Sequence, residues 1–125
     1  MNKSICIIDD DEDVREVLCY ALESDGFKVQ AFEDAQVALV SLKSLSKENY
    51  PNLILLDFMM PGMDGVAFIN LIRHEYAASI GTIPLVISTA RGSLDRETNI
   101  PLDVKIISKP MDLDKLLALA NSYCR

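Results

Sequence analysis

Five short apolar runs, most of them closed by a polar or charged residue, recur along the chain with room for a helix between one and the next. They cover residues 4–8, 27–32, 53–56, 83–88 and 104–108. The third is the clearest, because Leu53 to Leu56 is continuously apolar, the pattern of a strand buried on both faces of a parallel sheet. Between the runs the apolar residues are spaced for helices. Val14, Val17, Leu18, Ala21 and Leu22 form one stripe that stops at Asp25-Gly26. A second helix spans residues 35–45 behind the cap residue Asp34, and the polar stretch SKEN follows before Pro51. Pro61-Gly62 turns the chain, and Asp64 caps a third helix that carries Val66, Ile69, Ile72 and Tyr76 and runs to about Ala78. Residues 93–99 have little apolar face and a proline at 101, which predicts a fourth helix that is short or mobile. Leu113, Leu116, Leu117 and Ala120 give the last helix its buried stripe. This alternation predicts an α/β fold: a doubly wound, five-stranded parallel sheet joined by right-handed crossovers and covered by helices on both faces.

A chain of 125 residues is enough for one domain, taken as residues 1–125, with a core that needs no disulfide or metal. Three cysteines, Cys6, Cys19 and Cys124, have neither metal-ligand spacing nor the even number of a disulfide framework and are read as reduced thiols. The net charge is −7, and no basic patch offsets it, so direct binding to nucleic acid or to an anionic membrane is not expected. The N-terminus has too few apolar residues for a signal-peptide core, and no apolar run reaches the roughly 18 residues of a membrane span. The expected compartment is the cytoplasm. The chain closes at Arg125 just after the last helix, which fits a stand-alone protein or one domain of a longer one.

The polar residues that end the strands carry the chemistry. In a parallel sheet of this kind all carboxyl ends lie at one rim, and ligands bind where the strand order reverses. Asp9 and Asp10 follow the first strand, Asp57 the third, Thr89 the fourth and Lys109 the fifth. An Asp at a strand end is often only a turn former. Here the first and third strands are neighbours at the reversal, so three carboxylates converge. Crowded like charges disfavour full ionisation unless a cation joins them, and an all-oxygen ligand set with room for water suits Mg²⁺ better than Ca²⁺. A carboxylate beside Mg²⁺, facing a hydroxyl and an ammonium, is equipped for phosphoryl transfer, with Asp57 as nucleophile and Thr89, Lys109 and the metal each taking one phosphoryl oxygen.

The segments IIDDDEDVRE, LILLDFMMPGMDG, ISTA and ISKP, in this order along nearly the whole chain, resemble the response-regulator receiver domains of two-component signalling, the CheY-like family. The resemblance implies a flavodoxin-like (βα)5 fold with strand order 2-1-3-4-5. It implies that Asp9 and Asp10 hold Mg²⁺ together with Asp57 and the main-chain carbonyl of Met59. Asp57 would accept phosphate from a sensor histidine kinase or a histidine phosphotransfer protein, Thr89 would sense it, Lys109 would pair with it, and Lys109-Pro110 would be cis. The chain would catalyse only its own phosphorylation and dephosphorylation and would switch a surface for a downstream protein target. The family commonly places an aromatic on the fifth strand where this sequence has Ile106, so a rotating ring is absent and movement or partial ordering of the weak fourth helix is expected in its place. Met59 and Arg91, at positions where the family tunes phosphate lifetime, offer no group to orient water, which predicts slow self-dephosphorylation.

Competing functions fit less well. Small Mg²⁺-dependent phosphohydrolases also use an Asp nucleophile, but on the first strand and with cap segments that 125 residues do not provide. A flavin module of this topology needs a Gly- and hydroxyl-rich phosphate loop where this chain has five consecutive acids. The acids at 9, 11 and 13 imitate a calcium loop, but Val14 and Tyr20 stand where such a loop needs Gly and Glu. A receiver working by constitutive contact without phosphorylation remains an alternative. His74, the single histidine, is expected at the surface, and Arg15 in a helix-surface ion pair.

Overall fold

The computed structural model describes residues 3–58, 65–89 and 100–124. Five parallel strands, β1 (Ser4–Ile8), β2 (Lys28–Phe32), β3 (Leu53–Asp57), β4 (Leu85–Thr89) and β5 (Lys105–Ser108), form one sheet in the order β2-β1-β3-β4-β5. Four α-helices lie among the described residues: α1 (Glu12–Ser24), α2 (Ala35–Lys43), α3 (Gly65–Glu75) and α4 (Leu113–Ser122). The helix expected over 93–99 and the turn at Pro61-Gly62 with its cap Asp64 lie outside the described residues.

The two-residue period of the strands sorts their side chains onto two cores. Cys6, Ile8, Ile54, Leu56 and Ile87 face one side with Ala38 and Leu42 of α2 and Phe68, Ile69 and Ile72 of α3. Ile5, Ile7, Leu53, Leu55 and Val86 face the other, against Leu18 and Leu22 of α1 and Leu116 and Ala120 of α4. Every residue of β3 and β4 is buried, as central strands of a doubly wound sheet require. β2 and β5 are the edges, and their exposed residues include Lys28, Gln30 and Lys105.

Caps set the helix boundaries. Asp11, Asp34 and Asp112 each accept two main-chain N–H bonds at the starts of α1, α2 and α4. α1 ends in a Schellman arrangement: Gly26, at φ +90°, donates to Glu23 O, and Phe27 donates to Leu22 O. Phe27 therefore belongs to this cap, and β2 starts one residue later than its apolar run. α3 stops at Glu75, short of the expected Ala78, because the Gly81 amide turns back to Tyr76 O at 2.8 Å and starts a 3-10 turn, Ile80–Thr82. Pro84 has no N–H for a ladder, and β4 begins at Leu85.

Two expected core residues are exposed. Val17 is 52% exposed and Leu113 36%, since the contact of each helix with the sheet is narrower than its apolar stripe. Phe68, a fully buried residue of α3, fills the space beside Ile69 and Ile72 that the helical spacing alone left to its neighbours.

Candidate functional site

Strand register brings the polar residues together. Ile8 pairs with Leu56, which sets Asp9 beside Asp57, and Asp57 pairs with Ser88 while Thr89 pairs with Ser108. Lys109, one residue beyond β5, donates its amide to Thr89 O at 2.7 Å. Its peptide bond to Pro110 is cis. Asp9, Asp57, Ser88 and Thr89 are buried polar residues of the sheet's carboxyl rim, while Asp10 faces solvent.

One carboxylate oxygen from each of Asp9, Asp10 and Asp57 lies within 4.8 Å of the other two. Lys109 Nζ closes the cluster on one side, 2.8 Å from Asp9 Oδ2 and 3.6 Å from Asp57 Oδ1. Partial burial pulls the Lys109 ammonium down, but the hydrogen bond to Asp9 and the charges of Asp9 and Asp57 outweigh it and leave its pKa above the ordinary lysine value. The donors are hard oxygens on a rigid rim, two of the three residues buried, and this set fits a small divalent cation.

The loop around Asp9 is tightly bonded. Its amide donates to Phe32 O, Oδ1 accepts from the Asp11 amide at 2.9 Å, and its carbonyl accepts from Arg15 Nη1 at 2.8 Å. Arg15 thus turns inward to a main-chain oxygen, where the sequence reading gave it a surface ion pair. Nothing in the side-chain pattern marks a carbonyl as a partner. Gly65 seats α3 directly on the end of β3, and a Cβ there would meet Phe58 Cα at 3.1 Å. The site's expected main-chain ligand Met59, with Met60, Met63 and Arg91, lies outside the described residues. His74 is exposed on α3, away from the rim. Ile106 pairs with Ile87 and packs, partly buried, against the core shared by α2 and α3. A cavity of about 570 Å³ opens at the opposite end of the strands beside Lys3, Lys28, Tyr50 and Asn52 and shares no residue with the carboxylate cluster.

Comparison with known proteins agrees with this architecture. The sequence profile of the response regulator receiver domain matches residues 5–121. The phosphate regulon transcriptional regulatory protein PhoB of Klebsiella pneumoniae is 35% identical over 127 residues, an alignment covering 100% of this chain and 53% of that protein. The DNA-binding transcriptional regulator NtrC of Proteus hauseri is 34% identical over 118 residues, covering 93% of this chain and 23% of that one. The chemotaxis protein CheY4 of Vibrio cholerae superposes with a TM-score of 0.83 at 19% identity, covering 98% of this chain and 99% of its own, and shares the fold. The chain belongs to the response regulator receiver domain family of two-component systems. It spans about half the length of PhoB and about a quarter of NtrC. Both of those relatives are named as regulators. No helix among the described residues is long and apolar enough to cross a membrane.

Proposed function

We propose that residues 1–125 act as one receiver domain that takes a phosphoryl group onto Asp57 from a sensor histidine kinase or a histidine phosphotransfer protein. The observation that carries this reading is the position of Asp57: buried at a strand end, 3.6 Å from the Lys109 ammonium and within 4.8 Å of Asp9 and Asp10. Asp9, Asp10, Asp57 and the main-chain carbonyl of Met59 would hold Mg²⁺. Bound there, Mg²⁺ supplies charge neutralisation for the phosphoryl oxygens in flight.

The chain's own groups supply the rest. An Asp57 carboxylate oxygen attacks phosphorus; the new O–P bond forms as the P–N bond to the donor imidazole breaks, and that nitrogen keeps the bonding pair. Lys109 Nζ meets one phosphoryl oxygen as a point charge, and the Thr89 hydroxyl meets another. Thr89 and Lys109 are joined by a main-chain hydrogen bond of 2.7 Å, so a shift at Thr89 is passed to the start of the β5–α4 loop without a rotating aromatic at Ile106. The changed surface is offered to a downstream protein target in the cytoplasm, and the net charge of −7 favours a protein partner over nucleic acid or membrane. Turnover is limited to the domain's own phosphorylation and dephosphorylation.

Incubation with Mg²⁺ and acetyl phosphate, followed by intact-mass spectrometry, tests this. The expected result is one phosphoryl adduct on the native chain, absent from Asp57→Asn and from a chelated sample. An unmodified native chain, or an equal adduct on Asp57→Asn, contradicts it.

A further inference from the structure

We infer that Arg15 is a positioning residue that fixes the spacing of the Asp9 and Asp10 carboxylates for their shared cation. The inference rests on the Mg²⁺ reading above. One peptide unit separates these two side chains, and its carbonyl oxygen, that of Asp9, accepts a hydrogen bond from Arg15 Nη1 at 2.8 Å. The arginine stands in the first turns of α1 and reaches back six residues, from a helix whose own start is locked by the Asp11 cap. Its main-chain amide is also committed, donating to Asp11 O at 3.0 Å.

The geometry makes the peptide plane the adjustable part of the loop. Before this peptide, the Asp9 amide is held by Phe32 O and the Asp9 side chain by the Asp11 amide and Lys109 Nζ. After it, Asp10 is exposed, and Asp11 is fixed as a helix cap. Loss of the Arg15 bond would leave the Asp9-Asp10 peptide free to rotate, loosening the Asp11 amide bond to Asp9 Oδ1 and the placement of Asp10 relative to the buried Asp9 carboxylate. The Arg15 bond opposes that rotation. A guanidinium suits the task because a charged donor makes a stronger bond to a carbonyl than a neutral one. Its positive charge near the cluster opposes cation binding, so the sign of the effect decides between positioning and simple repulsion.

Calorimetric titration with Mg²⁺, on the native chain and on Arg15→Met and Arg15→Lys, makes that decision. Loss of a group that orients metal ligands typically weakens affinity by about tenfold or more. Arg15→Met should bind Mg²⁺ about tenfold more weakly, and Arg15→Lys, which can still donate to the carbonyl, should recover most of the loss. Unchanged or tighter binding by Arg15→Met overturns the inference. Hydrogen exchange of the Asp11 amide in metal-free protein gives an answer that does not depend on Mg²⁺. It should speed up in Arg15→Met while the Ile7 amide, inside β1, keeps its protection. Equal Asp11 exchange in both chains overturns the positioning role. A native chain that binds no Mg²⁺ would instead refute the metal reading on which the inference rests.

Discussion

Lys109 Nζ spans two carboxylates from the ends of neighbouring strands, Asp9 after β1 at 2.8 Å and Asp57 on β3 at 3.6 Å. Its ammonium offsets part of the repulsion that convergence of the strand ends creates. Because these partners raise the Lys109 pKa on folding, their contribution to stability is complete below the unfolded lysine value and fades as pH climbs through the higher folded one.

Melts of the native chain and of Lys109→Met from about pH 9 to 12 should show this directly, with the unfolded lysine value near 10.4 marking the start of the window. The native chain should melt higher at the lower end and lose that advantage toward the upper end. A difference in Tm that stays constant across the window would contradict the pairing.

Gly81 packs where no side chain fits. A Cβ at this position would lie 2.5 Å from Ile72 O and 2.6 Å from Tyr76 O, both main-chain atoms of the α3 terminus. Gly81→Ala should lower the urea-unfolding free energy by about 1–3 kcal/mol, the usual cost of overpacking. A change below about 0.5 kcal/mol, the ordinary scale of surface substitutions, would mean that the turn relaxes freely.

Burial pushes the Cys6 thiol up to about 12. The thiolate is the reactive form, so Cys6 should resist a disulfide reagent at about pH 8 in the folded chain and react only in denaturant. Cys19 and Cys124 are partly exposed, and although burial and the nearby Glu23 raise Cys19, with Arg15 opposing, both should react first. Peptide mapping after brief labelling separates the three. Early modification of Cys6 would show that β1 opens far more readily than a central strand should.

Asp25 ties three segments together at the opposite end of the sheet. Asn121 Nδ2 donates to Asp25 Oδ2 at 2.8 Å, and Lys3 Nζ reaches the same oxygen at 3.3 Å and the Asp25 carbonyl at 2.7 Å. The Asn121 bond, then the Lys3 bond, hold the carboxyl below its ordinary value, so the stabilisation is present above the unfolded aspartate value and is lost as pH falls through the lower folded one. A carbon-detected NMR titration of Asn121→Ala should move the Asp25 pKa up toward the ordinary aspartate range. No movement would remove Asn121 as the main cause.

The strands were legible because central parallel strands are apolar on both faces, and β1 and β3 match their runs closely. The convergence of Asp9, Asp57 and Lys109 followed from the same logic, since a parallel sheet gathers all carboxyl ends at one rim. Side-chain pattern says less about turns in which the main chain is the partner. The Gly26 cap that claims Phe27, the Gly81 turn that shortens α3, and the Arg15 bond to the Asp9 carbonyl all depend on carbonyl positions that exist only in the folded chain. Val17 and Leu113 mark a different limit: apolar spacing gives the direction of a helix face but not its width.

The central claim is that Asp57 carries the phosphoryl group, and borohydride trapping tests it most directly. Reduction of an aspartyl phosphate converts that one residue to homoserine, which peptide mapping can place. After treatment with acetyl phosphate and Mg²⁺, homoserine should appear at position 57 and at neither Asp9 nor Asp10. Homoserine at another aspartate, or none in a chain shown to carry phosphate, would contradict the account.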